Sequence, residues 1–271
     1  MSLPQSALSA WVRGIGLLAP GLGGWTAGQA ILKGERSYEA APTNLPAPGI
    51  LPPAERRRAS RLVKLALAVG LEAAAQADAD PATLATVFSA SSGDGHNCHA
   101  LCETLASDDR QVSPTRFHNS VHNTSAGYWG IATGATPPCQ VLCAYDGSFS
   151  AGLLEALVQV DVEKTPVLLI AYDAEYPEPI RSTRPVPDAG GIALLLSPEG
   201  AAGSLARISA ALEQGQAAPL ADPALEKLRT DIPALRGLPL LEILARGSNG
   251  ATSLEYLPPT RLAVQVEFPG S

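Results

Sequence analysis

The chain of 271 residues reads as α/β: apolar strand-like runs alternate with helical runs, so helices should cover a largely parallel sheet. Three observations carry this reading. PVLLIAYDAE (166–175) and GGIALLLSPE (190–199) are strongly apolar and strand-like. In AERRRASRLVKLALAVGLEAAAQAD (54–78), Leu62, Leu65, Val69 and Ala73 recur at helical spacing as one apolar stripe. The length suffices to bury about 70–75% of the unfolded surface, so a core forms without disulfide or metal staples.

In chain order, AWVRGIGLL (10–18) predicts a first strand, and APGLGG a turn whose Gly and Pro supply the backbone angles. AAPTNLPAPGILPP (40–53) holds five prolines and reads as an extended surface loop. The helix over 54–78 is punctuated by Pro53 before it and Asp80-Pro81 after it. TLATVFSASS (83–92) predicts a buried strand, HNCHALCETLAS (96–107) a helix and TSAGYWGIATG (124–134) another. CQVLCAY leads through DGSFSAG into the helical LLEALVQV. RLAVQVEF (261–268) alternates as a strand with one wet face, while 200–258 shows only short helical runs and a flexible-looking RGSNGATS. There is no fixed-period repeat.

Composition excludes some functions. A net charge of −7 argues against a nucleic-acid binder. No apolar run reaches 18 residues, so no membrane span is expected. MSLPQSALSAWVRG lacks the basic start and long apolar core of a leader, so a cytoplasmic protein with reduced thiols is expected.

Strand, tight turn and helix at 139–157 is how many enzymes present a nucleophile. SFSAG departs from G-x-S-x-G in having Ser148 where the first Gly should stand, with Ser150 as its central serine. The four histidines, His96, His99, His118 and His122, all precede it, so no downstream imidazole is available as base. The favoured reading is a small-residue turn with Ser150 as the helix N-cap. HNCHALC places His99 and Cys98 within reach of Cys102 on a helix, but lacks paired C-x-x-C spacing, and no metal is expected. Cys139 and Cys143 read as core. Arg56, Arg57 and Arg58, with Arg61 and Lys64, are either a solvated helix face, the favoured reading, or a docking site for an acidic carrier protein or a phosphate-bearing ligand. FHNSVHNTSAGYW (117–129) concentrates polar side chains that cost energy unless paired, which points to a site wall or an interface.

In order along the chain, GIGLLAPGLG, ERRRASRLVKLALAVGLEAA, VFSASSGDG, VSPTRFHNSVHNTSAGYWGIATGATPP, CAYDGSFSAGLLEAL and GGIALLLSPE resemble segments of the β-ketoacyl synthases. The resemblance implies a thiolase-like layered α-β-α fold with a truncated second half: one domain over 1–271, with a ketosynthase-like core over 1–200 and a reduced second half over 201–271. Asn123 and Gly127 hold positions matching that family. Where working synthases carry cysteine at the elbow, this chain has Ser150, or Ser148 in a gapped match, and it lacks the family's histidines in the second half. Serine offers no accessible anion near neutral pH.

That pattern resembles the non-catalytic chain-length factors, especially the short type of aryl polyene pathways. The resemblance implies a heterodimer with a catalytic β-ketoacyl synthase, contact with an acyl carrier protein, and no cofactor. It further implies pairing across a two-fold through the strand at 139–145 (Gln140, Val141, Leu142, Cys143). A tunnel wall or interface would come from Phe117, His118, Asn119, His122, Asn123, Tyr128 and Trp129. Phe117, His118, Tyr128 and Trp129 would set tunnel depth sterically, at an overpacking cost of about 1–3 kcal/mol per added unit, enough for a ten-fold product cut-off. The competing readings are a serine-dependent acyltransferase or hydrolase using Ser150 or Ser148 with His118 or His122, and a carrier-binding scaffold.

Overall fold

The structure, a computed structural model, describes residues 7–270; residues 1–6, where the N-terminal segment read for a leader begins, and Ser271 lie outside the described residues. In chain order the elements are β1 (Leu8–Ala19), β2 (Leu22–Gly23), α1 (Trp25–Leu32), α2 (Pro53–Arg58), α3 (Arg61–Gln76), β3 (Ala85–Ser89) and α4 (Gly95–Ala106). They continue with α5 (Pro114–His118), α6 (Thr124–Thr133), β4 (Cys139–Leu142), α7 (Ser148–Glu163), β5 (Val167–Asp173), α8 (Ile180–Thr183) and β6 (Gly190–Ser197). The last are β7 (Ala206–Gln214), α9 (Pro223–Asp231), α10 (Leu238–Arg246), β8 (Gly250–Glu255) and β9 (Thr260–Glu267).

The strands form one sheet in the order β4-β3-β5-β6-β1-β7-β9-β8, with β2 folded back on β1. Only the β3–β4 and β3–β5 pairs are parallel; every other pair is antiparallel. The largely parallel sheet expected from the apolar runs is therefore corrected to a mixed one. A strand covered on both faces is apolar throughout whichever way its neighbours run. β5 shows this: all its residues are buried, with Val167, Leu169 and Ala171 facing one core and Leu168, Ile170 and Tyr172 the other. The first core is closed by α1, α7 and α10, the second by α3 and α6.

α3 lies directly on β1. A Cβ at Gly16 would sit 1.9 Å from Val69 O, and one at Gly14 2.0 Å from Ala73 O, so only glycine permits this approach. β7 pairs only with Leu8–Val12 of β1. Beyond that, α3 side chains serve the strand's free N–H groups: Gln76 Oε1 accepts from Ile15 N (2.5 Å) and Glu72 Oε2 from Leu17 N (2.9 Å). Glu72 Oε1 also accepts from Trp25 N (2.6 Å), fixing the start of α1.

The single helix expected over 54–78 is two. Ala59 is extended (ψ 120°), and the Ser60 hydroxyl caps α3 by accepting from Val63 N. A serine just ahead of the apolar stripe had the chemistry to start a helix, and it does. The stripe itself is buried as expected. Arg56 folds back to the carbonyls of Gly49 and Leu51, so the three arginines do not form one continuous helix face. The strand expected over 83–92 is shorter, with a 3-10 turn at Pro81–Thr83 before β3.

The segment 200–258 extends the sheet rather than adding only helices. β7 and β8 were not foreseen, and RGSNGATS is the left-handed C-cap of α10 at Gly247 (φ 68°) followed by β8. No helix among the described residues is long and apolar enough to cross a membrane.

Candidate functional site

The carboxyl ends of β3, β4 and β5 converge where α7 begins, the usual place for a site in parallel α/β layers. β4 is the edge strand, and Cys139, Gln140 and Cys143 are exposed; the expectation that both cysteines are core is corrected. An edge strand has no neighbour to cover its outer side. Cys143 Sγ lies 3.0 Å from Ser91 O.

After β4 the chain makes a 3-10 turn, Tyr145–Gly147, and enters α7 at Ser148 with Gly147 as N-cap. Ser150 is therefore not the N-cap but lies inside the first turn. It is fully buried, and its Oγ has no hydrogen-bond partner. Ser148 is buried too, and its hydroxyl closes the turn: Oγ accepts from Ala144 N (3.0 Å) and donates to Tyr145 O (2.7 Å). Phe149 between them packs under Gly237, where a Cβ would lie 2.2 Å from its ring. Gly147 is equally confined, 2.5 Å from Tyr256 O at the Cβ position.

Of the two upstream candidate bases, His118 is exposed on α5. His122 comes nearer. Its ring donates to Ala90 O, 3.3 Å from which Ser148 Oγ also lies, and its Nε2 is buried without a partner. Burial pushes the imidazole below its usual value, with the Ala90 carbonyl acting against that. The structure thus brings His122 to the elbow, but the nearer hydroxyl is committed to the backbone.

A chain of charges holds the turn. Asp146 pairs with Arg184 (2.6 Å) and Arg236 (3.2 Å); Arg236 also bonds Glu255; Arg229 bonds Glu255 (3.2 Å) and Glu226 (2.7 Å). Arg184 stacks on the Tyr145 ring at 3.8 Å. Sequence reasoning missed all of these residues. The available signal was an arginine, Arg236, standing in the apolar run PALRGLPLL. Asp173, at the end of β5, accepts from Ser91 N (2.9 Å) and Ser91 Oγ (2.6 Å), while Oδ2 has no partner. Burial pushes its carboxyl up to about 6, against the pull of the Ser91 bonds, Ala234 N–H and Arg184.

The segment around FHNSVHN divides. Trp129 is core, edge-on to Phe88 at 6.2 Å and against Gly70, while Tyr128 is buried yet reaches the groove beside α6. Trp129 points inward because α6 must cover β3 and α3. Asn119 is buried with Oδ1 unpartnered, and Asn123 is exposed at the N-cap of α6. Phe117 (70% exposed), His118, Val121 and Ile131 line an open groove beside α6. α4 has no buried residue along its whole length. On it, His99 pairs with Glu103 (3.3 Å), and no group of three or more His, Cys, Asp or Glu is placed to hold a metal among the described residues.

A mixed sheet between two helical layers, with a strand–turn–helix elbow at the edge, is the thiolase-like fold of ketosynthases. The chain belongs to the β-ketoacyl synthase N-terminal domain family, whose sequence model matches residues 31–241. Among solved structures it is similar to a chain of the ketosynthase ApeO in complex with its chain length factor ApeC from Xenorhabdus doucetiae. That match has a TM-score of 0.73 and 22% identity, over 95% of this chain and 99% of that one. It is also similar to the ishigamide ketosynthase/chain length factor (0.71, 15%, over 97% and 100%). A β-ketoacyl synthase from Burkholderia phymatum STM815 matches as well (0.66, 14%, over 96% and 99%). A search among curated proteins returns no significant match.

Because Ser150 carries a buried hydroxyl without a partner, Ser150→Ala is expected to stabilise the protein by about 1–2 kcal/mol, the desolvation cost of that group. Urea unfolding of the two proteins checks this; a loss of stability would mean that the hydroxyl is bonded.

Proposed function

We propose that this chain is the non-catalytic, chain-length-factor-type subunit of a ketosynthase pair that extends acyl chains with malonyl units on a carrier protein, of the kind found in aryl polyene pathways. The observation that carries this reading is the closed elbow. Ser148 and Ser150 are buried, and the segments of the second half packed against the turn bring Arg236, Glu255 and the Tyr256 carbonyl rather than an imidazole. Neither alcohol has an open path to a thioester in that setting: Ser148 is bonded to the turn's backbone, and the one imidazole near it, His122, comes from upstream of the elbow.

Two further features support it. The chains matched in the ketosynthase/chain-length-factor structures are spanned almost end to end, so they are similar in length to this chain. And this chain leaves much to be covered by another: the free edge of β4, the groove of Phe117, Val121 and Ile131, and α4. A helix of 12 residues with no buried side chain is marginal in water by itself. In this reading Phe117 and His118 face the partner and bound its acyl tunnel, and the subunit works in the cytoplasm without a cofactor.

Purified alone, the chain should show no condensation of acyl and malonyl carrier substrates; co-expressed with its cognate catalytic ketosynthase, it should copurify and permit elongation. Elongation by the isolated chain would overturn this reading. So would labelling of Ser148 or Ser150 in the folded chain by a fluorophosphonate, which would instead favour a serine acyltransferase or hydrolase based on His122.

A further inference from the structure

Tyr145 stands in the left-handed region (φ 52°), where a side chain is costly and glycine is free. The other non-glycine residues with positive φ, Asp78 and Lys164, directly follow helices, where such a turn is routine. Tyr145 does not: it lies in the turn between β4 and α7. Nor does its ring fill a cavity in this chain, since it is 61% exposed.

The strained turn is nonetheless held firmly. Arg184 covers one face of the ring and bonds Asp146, and Arg236 holds the other oxygen of the same carboxylate. Gly147, next in the chain, is pinned against Tyr256 O. The ring is thus presented in one orientation three residues past the end of the free edge strand β4, at little entropic cost to whatever receives it. A fixed, half-stacked tyrosine beside an unpaired strand has the character of an interface hot spot. A strained backbone that the lone chain does not need has the character of a stored functional constraint.

We infer that Tyr145 is a pre-oriented anchor, its ring buried by the ketosynthase partner when that subunit's strand pairs with β4; this rests on the subunit reading above. The occupant is a second chain of the same fold, because the similar solved structures include a ketosynthase in complex with its chain length factor. The clamp makes Arg184 part of the presented surface as well, so the receiving pocket must accept an aromatic ring with a guanidinium stacked behind it.

The test compares Tyr145→Gly with Tyr145→Ala. Both remove the ring, but only glycine relieves the backbone. Tagged ketosynthase co-expressed with each form is captured and the subunit ratio measured; each chain is also purified alone and melted. The expected result is full pairing for wild type, at least ten-fold weaker pairing for both variants, and a melting temperature of Tyr145→Gly at or above that of Tyr145→Ala. If wild type and both variants pair equally, the anchor is wrong while the subunit reading stands. If Tyr145→Gly melts below Tyr145→Ala, the turn is not strained and the proposal fails. If wild type captures no ketosynthase, or pairs only with itself, the anchor and the subunit reading fall together.

Discussion

Replacing Arg229 with methionine is expected to destabilise the chain by about 2–3 kcal/mol. Arg229 is 5% exposed and holds Glu226 through two bonds, Nε to Oε2 at 2.8 Å and Nη2 to Oε1 at 2.7 Å, with Glu255 at 3.2 Å. Removing one partner of a buried pair costs about 3–5 kcal/mol because the other charge is left without compensation. The lower figure reflects the glutamates, whose side chains are a quarter to a third exposed and so are partly screened by water. Glu226 gains most from the arginine, which holds its carboxyl below the usual range. The loss should therefore shrink at pH values low enough to protonate that carboxyl. Urea unfolding at physiological salt measures the effect. The double variant Arg229→Met, Glu226→Leu should recover most of the loss, since no stranded charge then remains. A loss in the double variant as large as in the single would show that the arginine acts by packing alone. The consequence reaches the elbow, because Glu255 is shared with Arg236, and Arg236 holds Asp146.

The second large effect is a pH dependence set by Asp173. Its carboxyl, pushed by burial from 3.8 up to about 6, binds a proton more tightly folded than unfolded. Its contribution is therefore fully present below pH 3.8 and is lost as the pH rises through 6. At roughly 1.4 kcal/mol per pH unit the whole loss is about 3 kcal/mol, with about half of it falling between pH 5 and pH 7. His122 contributes with the opposite sign over part of the same window. Its folded-state value lies below 6.5, so its stability is present above 6.5 and lost as the pH falls. For this reason the informative quantity is the difference between wild type and Asp173→Asn, which keeps the acceptor for Ser91 and removes the titration. That difference should move in favour of the variant as the pH rises from 5 to 7.5. A difference that stays constant over that range would mean that Asp173 does not titrate there.

Much of the architecture was legible in the chain. β5 and β6 announce themselves by unbroken apolar runs because both faces are covered, and α3 by its stripe at helical spacing. These are local signals, carried by residues a few positions apart. Strand direction is not local. β6 lies between β5 and β1 and is antiparallel to both, and nothing in GGIALLLS distinguishes that from a parallel setting. β7 was missed because ARISAALEQ alternates only weakly and its outer residues are small or charged. The helix over 54–78 was drawn too long because AERRRAS holds no Gly or Pro to break it, and Ser60 could either continue a helix or cap the next one.

The candidate site divides in the same way. The order of residues alone determined that a strand–turn–helix elbow carries serines and that no histidine follows it, since a missing residue type needs no coordinates. Only the folded chain decided that Ser150 is sealed, that Ser148 is spent on the turn, and that Cys143 lies at an edge. It also decided that Asp146 is held by arginines from two distant segments. Burial and charge compensation depend on which segments meet across the sheet, and contacts between remote parts of a chain leave no periodic trace in it. The serines of the elbow and the lack of a histidine after it could be read from the residues; the burial of those serines belongs to the packing of α9, β8 and the turn at 233–237 against the elbow.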